Sequence, residues 1–139
     1  SKDDIVTNID YLNANNTGIV IRDINAMAIL NKIKAVEGDY IPNWDYDSAI
    51  KQKDSSAGAI MASALLELYS ITHNKSYLRI AERQLKELIS DEYMAKQGEN
   101  GYFILKHGVG NLPGNSEVDV PLSYGDYYFV EAALRYLNL

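Results

Sequence analysis

Asp54-Ser-Ser-Ala-Gly-Ala-Ile-Met-Ala-Ser-Ala-Leu-Leu-Glu-Leu-Tyr-Ser-Ile-Thr72 is the stretch on which the fold turns. Asp54 or Ser55 stands where an N-cap is needed. Ala57, Ile60, Met61, Ala64, Leu65 and Leu68 recur at the spacing of one helix face. The opposite side holds Ala59, Ala62, Leu66 and Tyr69, and Glu67 is the only charge between Ser55 and Thr72. A helix that is apolar nearly all round is expected to be buried nearly all round. Its many small residues allow neighbouring backbones to come close.

His73-Asn-Lys75 then makes a short turn, and residues 76–90 predict a helix of a different kind. Leu78, Ala81, Leu85, Leu88 and Ile89 form a single apolar stripe, while Arg79, Glu82, Arg83, Lys86 and Glu87 fill the rest. That is a surface helix with one face on the core. The short connection makes the two helices antiparallel neighbours. A buried helix hairpinned to an amphipathic one is the repeating unit of a double-layered α/α toroid. The same pattern also suits a helical bundle or a helical solenoid.

Working outward, Ala26, Ile29, Leu30 and Ile33 predict an amphipathic helix over 23–36. Ile5, Ile9 and Leu12 hint at another before it, but the turn residues of 13–18 interrupt the pattern. Between Glu37 and Lys53 lies a loop with Pro42, the sole tryptophan Trp44, and the acids Asp39, Asp45 and Asp47. A second irregular region, 97–125, is rich in glycine and proline, and Tyr102–His107 reads as a strand or hairpin arm inside it. Asp126 is expected to cap the last helix, with Phe129, Val130, Ala133, Leu134 and Leu137 on its buried side. Residues 1–139 read as a single domain, mostly helical and without internal repeats.

Composition narrows the function classes. The chain has 139 residues, no cysteine and a net charge of -6. Without cysteine there is no disulfide, no thiolate nucleophile and no cysteine metal site. An acidic chain without a Lys/Arg cluster argues against nucleic acid as a partner, because phosphate neutralisation needs basic patches. It offers no electrostatic attraction to an anionic membrane, and no apolar run reaches the roughly 20 residues that span one. The composition suits cytoplasm or periplasm and chooses neither.

Several constellations have two readings. Trp44-Asp-Tyr-Asp47 could offer an aromatic face and hydroxyl acceptors to a sugar, or simply be a loop held by a packed Trp with solvated acids. Asp54-Ser-Ser56 is an ordinary cap, or a helix N-terminus aimed at an anionic ligand such as a uronate carboxylate. His107 lies between an apolar arm and a flexible loop carrying Asn111, Asn115 and Ser116, which raises its functional weight. His73, in a turn, reads as solvated. No second histidine or acid stands at ligand spacing, so no metal site is assigned. Gly108-Val-Gly110 lacks the spacing and context of a nucleotide loop. Tyr124, Tyr127, Tyr128 and Phe129 read as core more readily than as a stacking platform.

Three blocks of the sequence resemble glycoside hydrolase family 88, the unsaturated glucuronyl hydrolases. They are Tyr40-Ile-Pro-Asn-Trp-Asp-Tyr-Asp47, Asp54 to Leu68, and His107-Gly-Val-Gly110 with Glu117 to Arg135. They occur in the family's order and cover about residues 24–139, leaving 1–22 poorly matched. The resemblance implies an all-α fold, part of an (α/α)6 toroid, with this chain as its C-terminal portion. It implies a bacterial glycosidase that removes the 4,5-unsaturated uronic acid left by polysaccharide lyases. In that chemistry an aspartic acid protonates the C4=C5 vinyl ether, water adds at C5, and the hemiketal opens to release the sugar. No cofactor is implied.

By the same resemblance the catalytic aspartates lie upstream, so no catalytic residue is assigned in this chain and the chain alone is expected to be inactive. The substrate-binding candidates are Trp44, Asp54 and Ser55, from the functional readings above, with His107, Asn111 and Ser116 in the loop that the resemblance marks. His107 and the loop that follows correspond to the rim facing the sugar beyond the scissile bond. Members that prefer sulfated substrates carry Ser-x-x-Ser-x-Lys in that loop, whereas here it reads Asn111-Leu-Pro-Gly-Asn-Ser116. The implied partners are unsaturated uronate oligosaccharides. An opened toroid should also expose inner-helix surface, which leads to an expectation of homodimerisation, domain swapping or contact with the missing N-terminal part. The alternative is a non-catalytic carbohydrate-binding or structural helical module derived from the same fold.

Overall fold

The computed structural model describes residues 38–139. The helix expected over 23–36 and the segment 1–22 lie outside the described residues. Among the described residues three helices, α1 (Ser55–Thr72), α2 (Lys75–Leu88) and α3 (Ser123–Leu137), carry the fold. Between the last two come a 3-10 turn (Asn100–Tyr102) and two short strands, β1 (Gly108–Asn111) and β2 (Ser116–Val120). Helix α1 is central and packs along both α2 and α3, which scarcely touch each other. A two-stranded hairpin is thus added to an otherwise helical architecture.

Helix α1 forms where its pattern predicts, and its ends show why. Asp54 caps the start through its side chain. At the other end His73 turns left-handed (φ 55°) and its N–H bonds to the Tyr69 carbonyl, which stops the helix. Asn74 then caps α2 by accepting the Ser76 N–H at 3.0 Å. With two caps back to back, the chain can only double back, so the expected helical hairpin is present.

The buried faces differ in detail from expectation. On α2 the residues that reach the core are Tyr77, Ile80, Ala81, Gln84 and Leu88. Leu78 and Leu85 pack at the margin and Ile89 is exposed. The stripe is rotated because Tyr77 and Gln84 carry polar ends on long bodies that fill core space; Gln84 Nε2 bonds the Tyr40 carbonyl at 3.2 Å. Helix α1 is not buried all round either: Ile60, Ala64, Glu67 and Ile71 share an exposed side. One core cluster (Ala62, Leu65, Leu66, Tyr77, Ile80, Ala81, Ala132) fills the junction of the three helices. A second (Ile41, Ala59, Leu88, Tyr93, Leu105, Phe129) lies beneath the irregular segments.

Helix α3 departs most from expectation. It begins at Ser123, not after Asp126, and its N-cap Leu122 supplies no side-chain bond. Asp126 lies in the first turn and accepts the N–H groups of Ile104 (2.8 Å) and Leu105 (2.9 Å), so it ties down an incoming segment. The buried side is Gly125, Phe129 and Ala132. Val130, Leu134 and Leu137, expected inside, are 42%, 56% and 79% exposed, and Tyr124 and Tyr127 are exposed too. Gly125 explains the tight approach of α3 to α1: a Cβ there would lie 3.1 Å from the Ser56 Cβ. Further along the seam Arg135 donates to the Ser63 carbonyl (2.8 Å) and pairs with Glu67 (3.1 Å), while the Ser63 hydroxyl donates to Glu131.

Of the acids upstream of α1, Asp39 is not a solvated loop residue. Its carboxylate accepts from Lys53 Nζ (2.7 Å), Tyr93 Oη (2.5 Å) and the Ile41 N–H (3.0 Å). Burial alone would raise the Asp39 pKa, but the bonds from Lys53, Tyr93 and Ile41 and the Lys53 charge outweigh it, holding the carboxyl below its ordinary range. Burial, with the Asp39 bond and charge, pushes the Tyr93 phenol up. A depressed carboxyl contributes stability that is present above its unfolded pKa and lost as pH falls through its folded pKa. Asp39→Asn is therefore expected to lower stability at neutral pH and to flatten its fall below the ordinary carboxylate range. Urea midpoints measured across acidic pH check this.

Candidate functional site

The N-terminus of α1 organises everything around it. The chain arrives through the 43–53 loop, which closes on itself by the Asn43–Lys53 bridge and by Trp44 N–H to the Gln52 carbonyl (2.9 Å). The Asp54 N–H then bonds the Pro42 carbonyl at 2.9 Å. One oxygen of the buried Asp54 carboxylate accepts three donors: the Ser56 N–H (3.0 Å), the Ser56 hydroxyl (2.6 Å) and the Val109 N–H (3.1 Å). The Ser55 N–H, which no intrahelical carbonyl can reach, bonds the His107 carbonyl at 3.0 Å. The base of the hairpin is thereby fastened to the start of the central helix.

Strands β1 and β2 pair antiparallel, with Val109 opposite Val118 and Asn111 opposite Ser116, and a bulge between Gly108 and Val109. Gly108 must be glycine here, since a Cβ would come within 2.7 Å of the Val120 carbonyl oxygen. The expected arm at 102–107 is displaced downstream: residues 102–107 contribute only an isolated bridge from Leu105 to Met94. At the tip, the Asn111 carboxamide donates to the Ser116 hydroxyl (3.2 Å) and accepts the Gly114 N–H (3.0 Å).

His107, half-buried, is held on several sides. Its Nδ1 lies 2.5 Å from Asp119 Oδ1, and the Tyr93 ring meets the imidazole edge-on at 6.1 Å between centroids. His107 (φ 63°), Glu117 (φ 52°) and Asp119 (φ 57°) all have left-handed backbones. Such conformations cost of order 1 kcal/mol for non-glycine residues and are best tolerated by Asn, Asp and His. The hairpin is therefore strained at the two residues whose side chains meet.

The six expected binding residues fall into three places. Asp54, Ser55 and His107 are brought together at the α1 N-terminus. Asn111 and Ser116 are joined to each other at the hairpin tip. Trp44 stands on the adjacent loop, two residues beyond Pro42, half-buried, and its buried indole N–H has no partner among the described residues. The Ser55 N–H and both Ser56 donors, expected to face an anion, are engaged by protein groups. Asp119 and Tyr93 were not read from sequence as site residues. Had the hairpin been registered at 108–120, Asp119 would have fallen beside His107. An open hollow of about 460 Å³ on the exposed side of α3, lined by Ser123, Asp126, Tyr127, Val130, Glu131 and Leu134, contains none of the six.

Among the described residues no helix is long and apolar enough to cross a membrane, and no cluster of three His, Cys, Asp or Glu could hold a metal ion. No family model matches the chain. Over 104 residues it is 50% identical to the unsaturated glucuronyl hydrolase of the bacterium Formosa agariphila, taking in 73% of this chain and 26% of that protein. The crystal structure of an unsaturated glucuronyl hydrolase specific for heparin matches with a TM-score of 0.76 at 47% identity, over 81% of this chain and 31% of the other. A variant of the enzyme from Streptococcus agalactiae, complexed with dGlcA-GalNAc6S, matches with a TM-score of 0.62 at 26% identity, over 70% of this chain and 28% of that one. The chain thus spans about a quarter of the length of the curated relatives it matches.

Proposed function

The chain belongs to the unsaturated glucuronyl hydrolases, glycoside hydrolase family 88, as a part of their α/α-toroid fold, and on that premise we propose that it is the C-terminal, pocket-wall portion of such an enzyme. The whole enzyme removes a 4,5-unsaturated uronic acid from lyase-generated oligosaccharides. A carboxylic acid protonates the C4=C5 bond, water adds at C5, and the hemiketal opens to release the sugar. The catalytic aspartates belong to the upstream part. In this reading the described residues frame the sugar beyond the scissile bond: Asp54 and Ser55 lock the hairpin base, while His107, Asn111 and Ser116 offer polar groups from the hairpin and Trp44 an aromatic wall.

The observation that carries the reading is identity at half of the positions over 104 residues. The strained, anchored hairpin supports placing a binding rim there, because backbone strain collects where a side chain must be held for a task. The test is loss of the ultraviolet absorbance of the conjugated C=C in a mixed set of lyase-derived disaccharides. The chain alone is expected to give no turnover, and adding the upstream part of the gene product to restore it. Turnover by the chain alone would place the catalytic acid among Asp45, Asp47 and Asp54 and refute the assignment. Saturable binding without turnover, even after the upstream part is added, would favour a non-catalytic carbohydrate-binding module.

A further inference from the structure

We propose that Asp119 is a positioning residue that fixes the imidazole of His107 as its Nδ1–H tautomer and leaves Nε2 to bind a sugar hydroxyl. The geometry is on β2 and at the base of β1. A carboxylate can only accept hydrogen bonds, so the ring nitrogen 2.5 Å from Asp119 Oδ1 must carry the proton. In the neutral ring the lone pair is then on Nε2, which has no hydrogen-bond partner among the described residues. The ring can swing little. Tyr93 meets it edge-on, and its backbone is pinned where the His107 carbonyl accepts the Ser55 N–H. Both partners adopt left-handed backbones, φ 63° and 57°, to bring the side chains together. A purely structural pair could have met without strain at both ends; a nitrogen held at a fixed angle suits a ligand.

The ligand chemistry follows from the surroundings. The hairpin residues 107–120 contain no Lys or Arg, and Glu117 and Asp119 are both exposed carboxylates. A neutral hydroxyl that donates to Nε2 is accepted there more readily than a sulfate or a second carboxylate, which those acids would repel. This rests on the reading of the hairpin as the rim of the sugar pocket.

Nitrogen-15 shifts of the imidazoles test it in the chain as it stands. The protein has two histidines, and His73→Asn identifies the other ring. His107 is expected as the Nδ1–H tautomer. In Asp119→Asn the backbone keeps a residue that tolerates its left-handed conformation, but an amide can accept or donate and no longer dictates the proton's place. The Nε2–H form should then appear, and binding of an unsaturated uronate disaccharide, followed by shift changes at millimolar ligand, should weaken about tenfold. Asp119→Gly, which removes the side chain and keeps the backbone free to turn left, should do the same. An Nε2–H tautomer in the unaltered protein, or equal binding by both variants, would overturn the proposal and leave the functional reading intact. No disaccharide binding by the unaltered protein, alone or with the upstream part added, would overturn both.

Discussion

Asp54→Ala is expected to destabilise the fold by about 3 kcal/mol, well beyond an ordinary lost cap. A cap alone is worth about 1 kcal/mol. Here the same oxygen also satisfies the Ser56 hydroxyl and the Val109 N–H, all in a buried setting. Removing it strands those donors, each at a cost of about 1–3 kcal/mol when no water can replace it. Asp54→Asn keeps an acceptor oxygen and remains a good cap, so its loss should be nearer 1 kcal/mol. Urea denaturation of the three proteins measures this. An alanine variant no weaker than the asparagine one would show that Val109 and Ser56 find water instead.

Leu66→Ala should cost about 3 kcal/mol, while Leu134→Ala should stay within about 0.5 kcal/mol. Both are leucines on apolar-looking helix faces. Leu66 is 1% exposed, in the cluster with Tyr77 and Ala132, and its loss leaves a cavity that helices cannot easily close. Leu134 is 56% exposed on α3. A sequence reading places both inside; the structure separates them by several-fold. Denaturant midpoints with unchanged slopes check the pair. If Leu134→Ala matched Leu66→Ala, the outer face of α3 would be covered in solution, as closure against another part of the toroid or a second copy would require.

The helical hairpin was legible because its signals are local. Asp54 stands as a cap, His73-Asn-Lys75 reads as a short turn, and the apolar rhythm of α1 is unambiguous as helix. Which face is buried was less legible, because that depends on neighbours. In α1 and α3 the apolar arc is wider than the surface that the described residues cover, which leaves Ile60 and Leu134 outside, whereas on α2 the stripe is rotated toward Tyr77 and Gln84, away from Ile89. The start of α3 was misplaced because Asp126 looks like a cap, but its carboxylate serves two N–H groups about twenty residues away. Of the site, the meeting of Asp54, Ser55 and His107 depends on long-range pairing between 54–55 and 107–109. Sequence marked the residues but not their contact. Asp119 stayed hidden because hairpin register, with its bulge, decides which acid reaches His107.

The single carboxylate oxygen shared by α1 and β1 also bears on how such a hairpin can vary. Its base cannot be redrawn without uncapping the central helix, so changes near Val109 are coupled to the integrity of the core. The tip is held differently, by bonds that stay within it: Asn111 to Gly114 and the Asn115 N–H to the Leu112 carbonyl. Leu112 and Pro113 are therefore the tip positions where substitution is expected to cost folding least, whereas Gly114, where a Cβ would meet the Asn111 carboxamide, and the left-handed Asn115 are constrained locally, and the root of the hairpin is held fixed by the helix it closes.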